Sequence, residues 1–374
     1  MLPPAWQVTL VNRNCEELTD AQIQAADLVM TGGMLPQEPD CLVVIDRCVA
    51  LGTPVCVGGP APTSTPEVYD KADFLVLGEA EGILDKFVAA WEAGERRGRL
   101  TAEKFKADVT KSPIPRFDLL TFSHYLYIGV QFSRGCPFTC EFCDIIELYG
   151  RAPRTKTTPQ MLAELDRLYG LGYRGHVDFV DDNLIGNKKA IKLFLPHLIQ
   201  WQEAHGYPFK FSTEASLNLA DDDELLGMMR DANFFALFTG IETPDEATLI
   251  QTQKKQNTKR SIADSVHKLY EHGMFVTAGF IVGFDTEKDS ISKAMSLCIG
   301  QTGIPIAMVG LLFALPNTQL SRRLRKEGRL YENYAATTAD QGDQCTQGIN
   351  FVTLRPQRDV LADYRDVLQE IYDP

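Results

Sequence analysis

Basic charge is in the minority in this 374-residue chain: 37 Lys and Arg stand against 50 Asp and Glu, a net charge of −13. That argues against a protein held on nucleic acid by a general basic field, and no nucleic-acid partner is expected. Long hydrophobic runs are also missing. The longest, around residues 306–315, is too short to span a bilayer, so no transmembrane segment is expected. Met1-Leu2-Pro3-Pro4 lacks the basic start of a signal peptide, which leaves a reducing cytoplasm as the expected compartment. Histidine is scarce, with six in all and none before His124. What is present is ordinary for a globular protein: 44% hydrophobic and 23% charged residues, in a chain long enough for two or three domains. Six of the nine cysteines (Cys15, Cys41, Cys48, Cys56, Cys298, Cys345) are scattered and read as small buried hydrophobes.

The other three form the run Cys136-Pro137-Phe138-Thr139-Cys140-Glu141-Phe142-Cys143. Three thiolates on one short loop can hold three irons of a cubane [4Fe–4S] cluster, which proteins usually tie with four cysteines. The missing fourth leaves one iron open to chemistry. A structural zinc would want four ligands in paired groups, and neither Cys298 nor His124 and His176 complete such a pattern. Disulfides are disfavoured in a chain without a secretion signal. At these residues the chain resembles the radical S-adenosylmethionine (radical SAM) enzymes. The resemblance implies a [4Fe–4S] cluster on Cys136, Cys140 and Cys143, whose open iron takes SAM and whose reduced form releases a 5′-deoxyadenosyl radical.

The expected fold class is α/β. Short strands at residues 7–11, 27–31, 54–57 and 74–77 alternate with helices in residues 1–95, which suggests a doubly wound parallel sheet. Residues 96–123 read as a proline-bearing linker, with 96–99 as a solvated helix end. From about residue 124 to 315, six strands alternate with helices, one of them opened by Thr158 as N-cap and Pro159. By resemblance this is the (β/α)6 partial TIM barrel of the family, with its site at the carboxyl ends of the strands. Residues 316–374 read as an incomplete C-terminal extension.

The strand ends carry polar groups. The resemblance implies that Asp182 and Asn183 stand in for the usual motif that holds the SAM amino group. It implies that Glu242 contacts SAM with Glu214 in support, that Ile281 and Gly283 of Gly279-Phe280-Ile281-Val282-Gly283 pack the adenine, and that Phe142 contacts it too. An Asp-Asn turn is the alternative reading of Asp182-Asn183, and on residue pattern alone Ile281 reads as a core strand residue. The basic stretch 148–156 either neutralises an anion at the cluster or is a solvated loop.

The order Thr31-Gly32-Gly33, Val57-Gly58-Gly59-Pro60, then Gly78-Glu79 resembles the cobalamin-binding (flavodoxin-like) domain that precedes the barrel in one radical SAM subfamily. Thr31, Gly32, Gly33, Gly58 and Gly59 would then line the corrin, although a Gly-Gly pair after a strand, taken by itself, reads first as a plain tight turn. The first strand and helix of that domain are missing, and no histidine is available to ligate cobalt. Over residues 131–156 and 179–187 the chain resembles cobalamin-dependent members that include hopanoid methylases. This implies methyl transfer from SAM through cobalamin to an unactivated carbon of a small or lipid-like substrate, with a flavodoxin- or ferredoxin-type electron donor. A radical SAM enzyme without working cobalamin (rearrangement or oxidation), and a non-catalytic cluster-binding fragment shortened at both ends, are the alternatives. Neither the substrate nor a catalytic residue beyond the cofactor sites is legible.

Overall fold

The computed structural model describes residues 1–331 and 348–373; Cys345 lies outside them. Two compact units divide the described chain. The first holds residues 1–124 and 148–150, the second residues 125–147, 151–331 and 348–373.

In the first unit the elements run α1 (Asp20–Ala25), β1 (Val29–Gly32), α2 (Glu38–Leu51), β2 (Val55–Gly58), α3 (Pro60–Ser64), β3 (Phe74–Leu77), α4 (Leu84–Glu92) and β4 (Gly98–Thr101). The four strands are parallel, in the order β1-β2-β3-β4. Alternate side chains of β2 and β3 serve two cores. Val55, Val57, Leu75 and Leu77 pack with Ile23, Cys41, Val44, Ile45 and Cys48 from α1 and α2. Cys56, Phe74 and Val76 pack on the other face with Phe87 of α4, Trp6 and Leu100.

Four expectations are corrected here. Residues 7–11 form no strand, because they pair with no neighbour in the sheet. Residues 96–123 are not a linker: they belong to the first unit, and 98–101 form an edge strand instead of a helix end. The sheet order has no reversal, so among the described strands it lacks the switch point of a doubly wound sheet. Cys15 is exposed, next to Glu16 and His124, while Cys41, Cys48, Cys56 and Cys298 are buried.

The second unit begins with β5 (Ile128–Val130), β6 (Ser133–Arg134), α5 (Ile145–Leu148) and β7 (Arg154–Thr155). It continues through α6 (Thr158–Gly170), β8 (Gly175–Phe179), α7 (Lys188–Ala204), β9 (Phe209–Glu214), α8 (Asp223–Asp231), β10 (Phe234–Glu242) and α9 (Glu246–Gln251). It closes with α10 (Ile262–Glu271), β11 (Phe275–Val282), α11 (Ser292–Thr302), β12 (Ile306–Leu311), α12 (Gln319–Lys326) and α13 (Gln357–Tyr372). Strands β5, β8, β9, β10, β11 and β12 make one parallel sheet in that spatial order. The outer face of β8, β9 and β10 is an aromatic core of Phe179, Phe211 and Phe234, with ring centroids 5.3 Å apart in each pair.

Helix α6 is capped by Thr157, one residue earlier than expected. Its hydroxyl accepts from the Gln160 N–H, while the Gln160 side chain accepts from the Thr157 N–H, closing a capping box. No helix among the described residues is long and apolar enough to cross a membrane.

Candidate functional site

The cysteine loop hangs between β6 and β7, a short antiparallel ribbon that pairs Ser133 with Thr155 and Arg134 with Arg154. The ribbon is fastened to the end of β8. Both the N–H and the hydroxyl of Ser133 donate to Asp181, as does the Phe132 N–H at 2.9 Å. Asp181 is fully buried, and burial pushes its carboxyl up to about 7 against these hydrogen bonds.

On the far side the loop is held by its own backbone. The Glu141 N–H donates to the Thr252 carbonyl at 2.9 Å, and the Leu320 N–H donates to the Glu141 carbonyl at 2.9 Å. The Glu141 carboxylate lies 2.5 Å from Arg323, which also reaches Asp285 at 2.8 Å; Asp285 in turn pairs with Arg329 at 2.5 Å. These arginines hold the Asp285 carboxyl below its usual range despite burial. Helix α12 therefore clamps the loop through an ion-pair network, and cooperation within it makes the arrangement firmer than one exposed pair would be.

Burial pushes the Cys143 thiol up first, followed by the charges of Asp144, Cys140 and Cys136. Cys136 is likewise pushed up, chiefly by burial. Bound iron supplies the positive charge that turns such thiols into thiolates. Polar donors already point at two of them: Gln256 Nε2 lies 3.5 Å from Cys140 Sγ, and Asn183 Nδ2 lies 4.0 Å from Cys136 Sγ. The donor set therefore fits an iron–sulfur cluster.

The ends of β8, β9 and β10 carry further carboxylates. Asp182 Oδ2 accepts the Gly135 N–H at 2.6 Å, so one oxygen already secures the loop; burial pushes its carboxyl up to about 6. Asn183 is buried and exchanges bonds with Ser216, donating to its hydroxyl at 3.0 Å and accepting its N–H at 3.2 Å. Glu214, at the end of β9, has a buried Oε2 with no hydrogen-bond partner among the described residues. An orphaned buried oxygen is costly unless a ligand meets it, so Glu214 fits a ligand bearing hydroxyl or ammonium donors.

Glu242 is already engaged. A bulge in β10 between Gly240 and Glu242 puts Glu242 at φ +69, and its carboxylate lies 2.5 Å from Lys254. Both side chains are buried, and a Cβ added at Gly240 would sit 2.2 Å from Glu242 Oε1, so a larger residue there would have to displace the ion pair. Burial alone would lower the Lys254 pKa, but the Glu242 carboxylate outweighs it and raises it. The Lys254 ammonium lies 6.0 Å from the centroid of Phe142, whose ring packs against Phe284 at 5.8 Å. Ile281 is half-buried on β11; Gly283 turns the chain at φ +111 and donates its N–H to Glu287. In the basic stretch, Lys156 is not available to an anion, because it is buried in an ion pair with Glu164 at 2.6 Å.

The residues that sequence reasoning missed are Asp181, Ser216, Lys254, Gln256 and Arg323. The adjacent Lys254-Lys255-Gln256-Asn257, basic and amide-rich in an acidic chain, was the available signal.

The pH dependence of stability tests the Glu214 assignment. Burial first, then Asp178, pushes this carboxyl from 4.5 up to about 8. The folded state therefore keeps a proton that the unfolded chain loses earlier. Stability from this group is full below about pH 4.5, declines as pH rises, and is lost above about pH 8. Denaturation midpoints taken between these limits should fall less steeply with pH in Glu214→Gln than in the parent. Parallel slopes would show that Glu214 is already ionised.

An open parallel α/β sheet with three cysteines gathered at the carboxyl end of its strands defines a cluster-dependent enzyme. The pattern of the Radical SAM superfamily matches residues 130–298, and a domain of unknown function (DUF4070) matches residues 318–374. The whole chain is 48% identical to 69% of an uncharacterized methyltransferase of Synechocystis sp.. It is 37% identical to 69% of the hopanoid C-2 methylase of Rhodopseudomonas palustris, again over all of its length. The chain belongs to the radical SAM superfamily, among relatives named as methyltransferases.

The family's cofactors are the [4Fe–4S] cluster and SAM. Two solved structures share the fold. The radical SAM methyltransferase TsrM of Kitasatospora setae, with cobalamin and a [4Fe–4S] cluster bound, matches with TM-score 0.68 at 14% identity, over 82% of this chain and 69% of that one. The cobalamin-dependent enzyme OxsB matches with TM-score 0.69 at 17% identity, over 93% of this chain and 59% of that one.

Proposed function

We propose that this chain is a radical SAM C-methyltransferase that transfers a methyl group, with cobalamin, to an unactivated carbon of a small or lipid-like substrate. In this reading the second unit is the (β/α)6 partial barrel and the first is a cobalamin-binding-type domain. The observation that carries the proposal is the three-cysteine loop, one ligand short of the usual four, together with the buried Glu214 Oε2 that has no hydrogen-bond partner among the described residues. When bound, the cluster supplies the electron that splits SAM, and cobalamin supplies the methyl carrier.

The protein's own part is positioning. Cys136, Cys140 and Cys143 hold three irons. Asp182 and Asn183, next to Gly135 and Cys136, present polar groups to the SAM amine. Glu214 receives a donor from the ligand, Glu242 orients Lys254, and Phe142, Ile281 and Gly283 line the adenine. An external flavodoxin- or ferredoxin-type protein would deliver the electron, in the cytoplasm.

The fit to cobalamin is limited to bare backbone. Gly32 is exposed at the end of β1, and Gly33, Gly58 and Gly59 are half-exposed beside it. However, a Cβ on Gly32 would lie 2.2 Å from the Gly58 carbonyl oxygen, and one on Gly59 would lie 3.1 Å from Gly33. Strand packing alone thus accounts for the glycines, and the Thr31 hydroxyl is 3.7 Å from Cys41 Sγ. These contacts support a second reading: a radical SAM enzyme that works without cobalamin.

One experiment separates the two. The protein is reconstituted anaerobically with iron and sulfide, supplied with hydroxocobalamin, desalted, and then given SAM and dithionite. Formation of 5′-deoxyadenosine together with retained corrin absorbance supports the first reading. 5′-Deoxyadenosine without corrin supports the second. No 5′-deoxyadenosine at all refutes both.

A further inference from the structure

We propose that Gln256 sets the reduction potential of the cluster through an N–H···S hydrogen bond to its Cys140 ligand. The inference rests on the assignment of the cluster to Cys136, Cys140 and Cys143. Gln256 lies in the turn after α9, far in sequence from the cysteine loop, and is buried at 8% exposure. The turn is stapled in place: the Asn257 side chain donates to the carbonyls of Gly240 at 2.8 Å and Ile241 at 3.2 Å, on the bulge of β10. From there Gln256 Nε2 reaches 3.5 Å from Cys140 Sγ.

Its other end explains the direction of the bond. Oε1 is buried and has no hydrogen-bond partner among the described residues. An amide that leaves its oxygen unpaired while aiming its N–H at a sulfur is positioned by that sulfur. The reversed amide would set an oxygen against a thiolate. Asn183 is a weaker donor to Cys136, because its Nδ2 lies 4.0 Å from the sulfur and is already given to Ser216 at 3.0 Å.

Hydrogen bonds to ligand sulfurs are among the factors that set the potential of an iron–sulfur cluster. A donor stabilises the more electron-rich, reduced state. Gln256 therefore raises the potential, which eases reduction by the electron donor and moderates the reducing power that remains for SAM. Leucine and methionine keep the bulk of the side chain and remove the donor.

The test compares the anaerobically reconstituted parent with Gln256→Leu and Gln256→Met. Iron content and midpoint potential are measured without SAM, by redox titration followed by electron paramagnetic resonance. Full iron content and a midpoint lowered by about a tenfold change in the reduction equilibrium, ~59 mV for one electron, in both variants would support the proposal. A full cluster with an unmoved midpoint would overturn it. Loss of the cluster in both variants would also overturn it, by making Gln256 a structural residue. A parent that binds no cluster would instead refute the ligand assignment itself.

Discussion

Cys140→Ala should lose its iron–sulfur absorbance and its 5′-deoxyadenosine production together, to background. The three sulfurs share one loop held from both sides, by Asp182 at Gly135 and by Thr252 and Leu320 at Glu141. Removing one leaves two thiolates for a cubane that normally takes three or four. Cys140 is the most telling choice, because it is the buried member of the set and the one that Gln256 faces. Anaerobic reconstitution, iron analysis and chromatography of the nucleoside product read the result. A variant that still cleaved SAM would show that another residue takes its place, and the ligand assignment would fall. Cys298→Ala, altering a buried cysteine on α11, is the control that should retain the cluster.

The second large effect is expected at Glu242. Its ion pair with Lys254 is short and nearly dry, with side chains 9% and 11% exposed. Taking one partner from a buried pair leaves an uncompensated charge and typically costs about 3–5 kcal/mol. Glu242→Ala should therefore unfold at distinctly lower denaturant, weaken SAM binding and still bind a cluster. The double variant Glu242→Leu with Lys254→Met should recover much of the lost stability, since a buried pair replaced by apolar groups is often tolerated. Equilibrium denaturation and SAM titration of the reconstituted protein check both halves. A loss below about 1 kcal/mol, the range of exposed pairs, would mean that water reaches this pair. Unchanged SAM affinity would remove Glu242 from the binding site.

What the sequence makes legible is what depends on local spacing. The Cys-x3-Cys-x2-Cys run and the alternation that builds six parallel strands are both properties of short windows. The capping box of α6 was legible as well: Thr157-Thr158-Pro159-Gln160 fits the Thr-x-x-Gln pattern from Thr157 and not from Thr158. Other features depend on distant partners. Residues 96–99 resemble a helix end because of their arginines and glycine, yet the free edge of β3 takes up 98–101 as a strand. Residues 7–11 alternate well enough for a strand but have no partner edge, and alternation alone forms no sheet. Glu242 was legible as a strand-end carboxylate, but its commitment to Lys254 depends on a bulge and a positive φ that no pattern announces. Lys156 read as a loop cation until α6 placed Glu164 beside it.

The clamp of α12 on the cysteine loop bears on the order of events during biosynthesis. Leu320 and Arg323 reach back to Glu141, between the second and third cysteines. A nascent chain that has emerged only as far as β12 carries Cys136, Cys140 and Cys143 and the contacts of their loop and its ribbon with Asp181, Asp182 and Thr252, but not the clamp from α12. The loop therefore reaches its fully held geometry only once α12 has packed against it.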